Sequence, residues 1–233
     1  MADTVPILLV PGLNCSPRLY AEQVPALGRF GPVTIADHTR DDSIPAIARR
    51  ILDHAPPRFV LAGLSMGGYV AFEIMRQASD RVLRLALLDT SARPDTPAQT
   101  QLRHQRIAKS KAGGFFEMVE ENFPALVHPS RHGDAALRAV NRAMAGEIGA
   151  EVYIRQQNAI MNRADSRPTL AEIRCPTLVL VGDSDALTPP PLSQDMAKGI
   201  AAARLVTIPE CGHISTLERP EAVTAALVEW LEG

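Results

Sequence analysis

The sequence predicts an α/β fold with a mostly parallel sheet of about six strands, helices on both faces, and a helical insertion between two of the strands. Three observations lead there. Six short apolar runs recur along the chain, each closed by turn residues and followed by helical spacing. The runs are apolar almost throughout rather than at alternate positions, as strands covered on both faces require. Between about residues 91 and 170 the alternation stops and only helical patterns remain.

Taken in order, Val5–Val10 reads as the first strand, followed by a helix over Leu19–Leu27 and a strand over Val33–Ala36. Ser43 precedes a helix over Ile44–His54 as its N-cap. The strand Phe59–Ala62 runs through a glycine-rich turn into a helix over Gly67–Gln77, and Leu83–Leu88 is the next strand. The strand-free interval then shows helical patterns at Ala98–Lys111, Phe115–Glu121, Ala135–Ala145 and Ala150–Met161. The strand Thr177–Val181 follows, then a helix over Pro190–Ala201, for which Thr188 and Pro189–Pro191 make a start signal. The strand Leu205–Ile208 and a helix over Pro220–Leu231, with acids in its first turn, complete the chain. The expected organisation is one domain over 1–233, with a core of about 1–90 and 171–233 and an insertion of about 91–170.

With 233 residues, 46% of them hydrophobic, the chain is long enough to bury a full core. A formal net charge of −2 gives no reason to expect nucleic acid or an anionic membrane as partner, and 4% aromatic residues leave little for stacking on bases. Cys15, Cys175 and Cys211 form no even set and no CxxC pair, which suits a reducing compartment. The start, MADTVPILLVPG, lacks a basic leader region, and its apolar run is too short to span a membrane. A soluble, cytoplasmic protein is the expectation. No metal is expected either: His128 and His132 form H-x-x-x-H, but Pro129 disfavours the helix that would align them.

The chemistry centres on Gly63-Leu64-Ser65-Met66-Gly67, a G-x-S-x-G pentapeptide between a strand and a helix. A serine exposed on so sharp a turn needs neighbours without side chains two residues either side, and the following helix aims its free N–H groups at the serine oxygen. A plain glycine-rich turn is the simpler alternative. A phosphate cradle lacks the Lys-Ser/Thr that it needs. A serine nucleophile requires a base and a group to orient it, in the order serine, acid, histidine for this arrangement. His213 lies just past the last predicted strand, at the carboxyl edge where open α/β sheets place their sites. Asp185 is the favoured acid, with Asp183 and Asp89 as reserves on strand-end loops.

Four segments, ILLVPGLNCSPRLYAEQVPAL, LAGLSMGGYVAFEIM, IRCPTLVLVGDSDALTPP and ECGHISTLERPEAV, together resemble the α/β-hydrolase fold superfamily over nearly the whole chain. The resemblance implies a Ser65–His213–Asp185 triad, the acid standing three residues after Gly182, and an oxyanion hole made by the backbone N–H groups of Leu13 and Met66. It implies no cofactor. The chain departs from the family pattern at Pro11, where a histidine is common, and the family's leading hairpin has no counterpart before Val5. The implied activity is cleavage of a small-molecule carboxylic ester or lactone through an acyl-enzyme at Ser65. Thioester hydrolysis, carbon–carbon bond hydrolysis and acyl transfer use the same triad, and a ligand sensor that retains it without turnover is a further alternative.

In this resemblance the insertion is a cap that selects substrates. Phe115, Phe116, Phe123, Met118, Met144 and Met161 are candidate pocket residues, although Phe and Met at helical spacing more often pack a core. The insertion holds eleven Lys/Arg against eight Asp/Glu, with Arg103, His104, Arg106, Lys109 and Lys111 clustered on one segment. A solvated helix face is the simpler account of that cluster, and attraction of a carboxylate-bearing substrate the alternative. Oligomeric state is not encoded legibly.

Overall fold

The computed structural model describes residues 4–233, so that part of the leader expectation resting on residues 1–3 lies outside the described residues. Six strands, β1 Ile7–Val10, β2 Val33–Ile35, β3 Phe59–Leu64, β4 Val82–Leu88, β5 Thr177–Gly182 and β6 Ala203–Ile208, form one sheet in the order β2-β1-β3-β4-β5-β6. All five pairings are parallel.

Strand alternation divides the core into two layers. Leu8, Val10, Leu61, Leu85, Leu87 and Val179 face one side of the sheet, where α2 (Ile44–His54), α3 (Met66–Ala78) and α9 (Pro190–Gly199) cover them. Ile7, Leu9, Val60, Ala62, Leu88 and Leu180 face the other, under α11 (Pro220–Glu232) and the short α1 (Val24–Leu27). Removing each such large side chain from water contributes roughly 1.5–3 kcal/mol, so the strands read as continuous apolar runs because both of their faces are buried.

Two local expectations are corrected. The helix expected over Leu19–Leu27 is a 3₁₀ turn at Pro17–Tyr20 and then the four-residue α1, because Pro25 has no N–H to carry a continuous helix through that point. Thr188 does not cap α9, whose start at Pro189 has no side-chain cap; its hydroxyl is engaged elsewhere.

Between β4 and β5 the described chain holds no strand. It runs through α4 (Pro97–Lys109), α5 (Phe115–Asn122), α6 (Ala135–Ile148), α7 (Ala150–Met161) and α8 (Arg167–Leu170). Thr96 and Gln99 form a reciprocal capping box that starts α4. The expected continuation of α4 to Lys111 gives way to a wide turn over Ser110–Gly114, where Gly113 takes φ 87°. A last short helix, α10 (Ser215–Glu218), precedes α11. Among the described residues no helix is long and apolar enough to cross a membrane.

Candidate active site

Ser65 stands between β3 and α3 with φ 55° and ψ −113°, a backbone conformation that costs energy for any residue with a side chain. The turn closes because its flanking positions are empty. A Cβ on Gly63 would overlap the Gly67 carbonyl, and one on Gly67 would overlap the Val10 carbonyl at the end of β1. The close packing at Gly63 and Gly67 therefore holds the half-buried Ser65 at the cavity.

His213 arrives on the loop after β6, its side chain almost wholly buried. Its Nε2 lies 2.8 Å from Ser65 Oγ. On the opposite side of the ring, Nδ1 lies 2.8 Å from Asp185 Oδ2 and 3.0 Å from Oδ1. Asp185 is fixed in turn by three donors: the N–H groups of Leu187 and Thr188, both at 2.9 Å, and the Thr188 hydroxyl at 2.6 Å. Burial works against the His213 imidazolium, but the Asp185 charge and hydrogen bond outweigh it and hold the ring above the ordinary histidine range. Burial also opposes ionisation of Asp185, and His213 together with the three donors holds that carboxyl below its usual range.

The reserve acids sit apart from the imidazole. Asp183 is exposed and accepts from the N–H groups of Glu210 and Cys211 at 2.9 and 3.2 Å, bracing the loop rather than the ring. Asp89 is fully buried at the end of β4 with φ 44°, accepting from Gly182 N–H at 3.0 Å and from the Ser215 hydroxyl. Burial and then the nearby Asp185 charge push Asp89 up to about 8, so at neutral pH its carboxyl is mostly uncharged.

Above Ser65 lies a cavity of about 330 Å³, lined by core loops and the helical segment alike. Leu13, Ser65 and His213 all face it. Among the described residues, the Leu13 amide finds no acceptor in the protein, and the Met66 amide stands in the first turn of α3, where no intrahelical partner exists. Of the proposed pocket residues, Met118 lines this cavity. Phe115, Met144 and Phe123 are instead buried in packing clusters, Phe116 is exposed with Arg142 4.7 Å over its ring, and Met161 lies outside the lining.

Several residues that matter here were not singled out from sequence. His38, between β2 and α2, is buried with Nε2 3.0 Å from the Gly12 carbonyl. The carbonyl of Gly12 and the N–H of Leu13 belong to one planar peptide and point in opposite directions, so this bond turns the Leu13 amide toward the cavity. Burial keeps His38 below the ordinary histidine range, hence neutral and donating from Nε2. Arg103 and Arg106, which the sequence does single out with a solvated face as the simpler account and attraction of a carboxylate as the alternative, line the cavity. The loop carrying His213 hangs from the helical segment: the N–H groups of His213 and Ile214 both donate to the Leu126 carbonyl, at 2.8 and 3.1 Å. Glu218, also buried, receives the N–H groups of His128 and Gly212 at 2.8 and 2.6 Å. Among the described residues no group of three His, Cys, Asp or Glu side chains is arranged to hold a metal ion.

A model of the alpha/beta hydrolase family matches residues 7–226. The chain is 32% identical to a solved thermophilic esterase from Thermogutta terrifontis, at a TM-score of 0.89, over 98% of this chain and 89% of that one. It is 25% identical to the enol-lactonase from Burkholderia xenovorans, at a TM-score of 0.87, over 100% and 93% of the two chains. A pimeloyl-[acyl-carrier protein] methyl ester esterase from Chromobacterium violaceum is 29% identical over 216 residues, 89% of this chain and 79% of that protein.

Proposed function

The chain belongs to the alpha/beta hydrolase family, and from that premise we propose that it is a carboxylic ester hydrolase, acting on a small-molecule ester or lactone through an acyl-enzyme at Ser65. The observation that carries this reading is the unbroken line of hydrogen bonds from Asp185 through His213 to Ser65 Oγ, which ends at the floor of the cavity. Similarity to esterases and to an enol-lactonase supports the same substrate class.

In this mechanism Ser65 Oγ attacks the acyl carbonyl carbon while His213 Nε2 takes its proton. Asp185 keeps the Nδ1 proton in place and stabilises the imidazolium that forms. The negative charge that develops on the carbonyl oxygen is received by the N–H groups of Leu13 and Met66, a donor pair of which each member is worth about 10²–10³ in rate. His213 returns the proton to the departing alcohol. Water then enters, gives its proton to His213 and attacks the acyl-enzyme, releasing the acid and Ser65. The helical segment serves as the cap that shapes the acyl and alcohol subsites.

The test is a fluorophosphonate probe read by intact mass. One adduct on the wild type, absent in Ser65→Ala and His213→Ala, is the expected result, followed by turnover of short-chain esters and lactones. A wild type that takes no adduct sinks the reading.

A further inference from the structure

The cavity wall is cationic. Arg93, Arg103, Arg106 and Arg163 line it, and among the described residues no aspartate or glutamate does. On the outer rim Arg93 is paired with Asp195 at 2.6 Å. Deeper in, Arg103 and Arg163 share a single carboxylate, Asp95, at 2.6 and 2.5 Å, and its side chain is only 2% exposed. Arg106 has a neutral partner: one terminal nitrogen donates to Asn122 Oδ1 at 2.6 Å, and among the described residues no carboxylate lies within ion-pair reach of it. Three inner guanidinium groups thus face one carboxylate.

The arrangement is built. Gln99, Leu102, Arg103 and Arg106 follow the i, i+3, i+4, i+7 stripe of α4 and all face the cavity. Arg103 is locked by Asp95 on one side and by Gln157 Oε1 at 2.8 Å on the other. Arg163 lies 4.2 Å over the ring of Tyr69, which also lines the cavity. These anchors hold Arg103 and Arg163 still, while Arg106 gives only one N–H to Asn122 and keeps one of its two donor forks unused. A guanidinium drawn partly out of water is costly until an anion meets it, and a carboxylate fits its fork in a bidentate manner.

Resting on the hydrolase reading of Ser65, we propose that the cavity takes an ester or lactone that carries a free carboxylate elsewhere in the same molecule, with Arg106 as its anchor and Arg103 beside it. About 330 Å³ stands near the lower end of ordinary ligand sites, which limits the substrate to a compact one whose carboxylate and scissile carbonyl are separated by a short chain.

The experiment compares kcat/KM for monomethyl esters of α,ω-diacids with the methyl alkanoates of matched length, and for acetyl esters of ω-hydroxy acids with those of the plain alcohols. A hydrogen-bonded charge pair predicts a preference of about 10–100-fold for the anionic member of at least one pair type. That ratio should fall most of the way to one in Arg106→Gln, recover in part in Arg106→Lys, and shrink as salt is raised. A parallel calorimetric titration of Ser65→Ala with the preferred monoester reads binding without turnover, and adding Arg106→Gln should abolish it. Turnover of neutral and anionic esters at equal efficiency overturns the anion proposal and leaves the hydrolase reading standing. No probe adduct and no turnover, with Arg106-dependent binding of the monoester intact, fells the hydrolase reading and keeps the anion site. Inorganic phosphate displacing the monoester at matched concentration overturns the assignment to a carboxylate.

Discussion

Replacing Asp185 with asparagine tests it against Asp183 and Asp89 as the acid that orients the imidazole. Asp185 accepts from the N–H groups of Leu187 and Thr188 through one oxygen, and from the Thr188 hydroxyl and His213 through the other. In Asp185→Asn the amide oxygen is held by the two backbone N–H groups, which have no other acceptor to turn to. The amide nitrogen then faces His213 Nδ1 as a donor. Nδ1 must become an acceptor, its proton passes to Nε2, and the nitrogen that should receive the Ser65 proton is already occupied. A triad in the wrong tautomer loses about 10⁴ in kcat, close to 5.5 kcal/mol at 1.36 kcal/mol per decade. Three of the four contacts to residue 185 survive, so Tm should shift by only about 2–4 °C, the equivalent of roughly 1 kcal/mol for a chain of this size. The assay is initial-rate hydrolysis of a p-nitrophenyl ester with a thermal melt on the same samples. Asp183→Asn, whose carboxylate braces only the Glu210–Cys211 turn, should stay within about threefold of wild type in kcat, since the lost bonds are outside the proton path. Should Asp185→Asn keep a tenth of the wild-type kcat while Asp89→Asn loses three decades, the assignment of the orienting acid is wrong.

His213 must be neutral to act as base, and Asp185 holds it above the ordinary value, so kcat/KM should rise with pH through an apparent pKa above about 6.5; a limb centred below that value contradicts the coupling. Asp89 titrates near 8 when folded and near 3.8 when unfolded, so its neutral form stabilises the fold at low pH and that contribution is lost as pH rises toward 8. Asp89→Asn should therefore melt higher than wild type at pH 8 and equally at pH 4, and equal melting at both values refutes the burial argument. His38→Ala removes one of two donors to the Gly12 carbonyl while the Cys15 N–H remains at 3.2 Å, so kcat should drop about tenfold, less than the loss of a whole oxyanion donor, with KM little changed. A lowered Tm with kcat intact would reduce His38 to packing. Gly67→Ala drives a Cβ into the Val10 carbonyl and should abolish probe labelling or folding altogether; a soluble, fully labelled variant would show that the turn has more room than its geometry gives.

The sheet and the Ser65, Asp185 and His213 positions were legible because each is announced locally: strands by apolar runs buried on both faces, the serine turn by its glycines, the acid and histidine by strand-end loops. His38 was not, because its contact with Gly12 exists only once β2 lies beside β1, and strand order is not written in either segment. The same holds for Asp95, which meets Arg163 across 68 positions of chain. Helical spacing revealed that Phe115, Met118 and Met144 lie on apolar faces but not which neighbour each face would meet; packing buries all three, and of them only Met118 also lines the cavity. Pro25 did carry the signal that splits the Leu19–Leu27 helix, and helical spacing alone outweighed it wrongly.

The Leu126 carbonyl that carries both the His213 and Ile214 amides makes the helical segment a poor candidate for a freely exchangeable module. A rigid-body swing of the whole segment would pull the base away from its serine, so substrate has to reach Ser65 without one. For engineering, the useful cut lies before residue 123. A graft that transplants everything from 91 to 170 replaces the hinge-pin of the base along with the specificity wall, whereas one that keeps residues 123–128 exchanges selectivity and spares the proton relay.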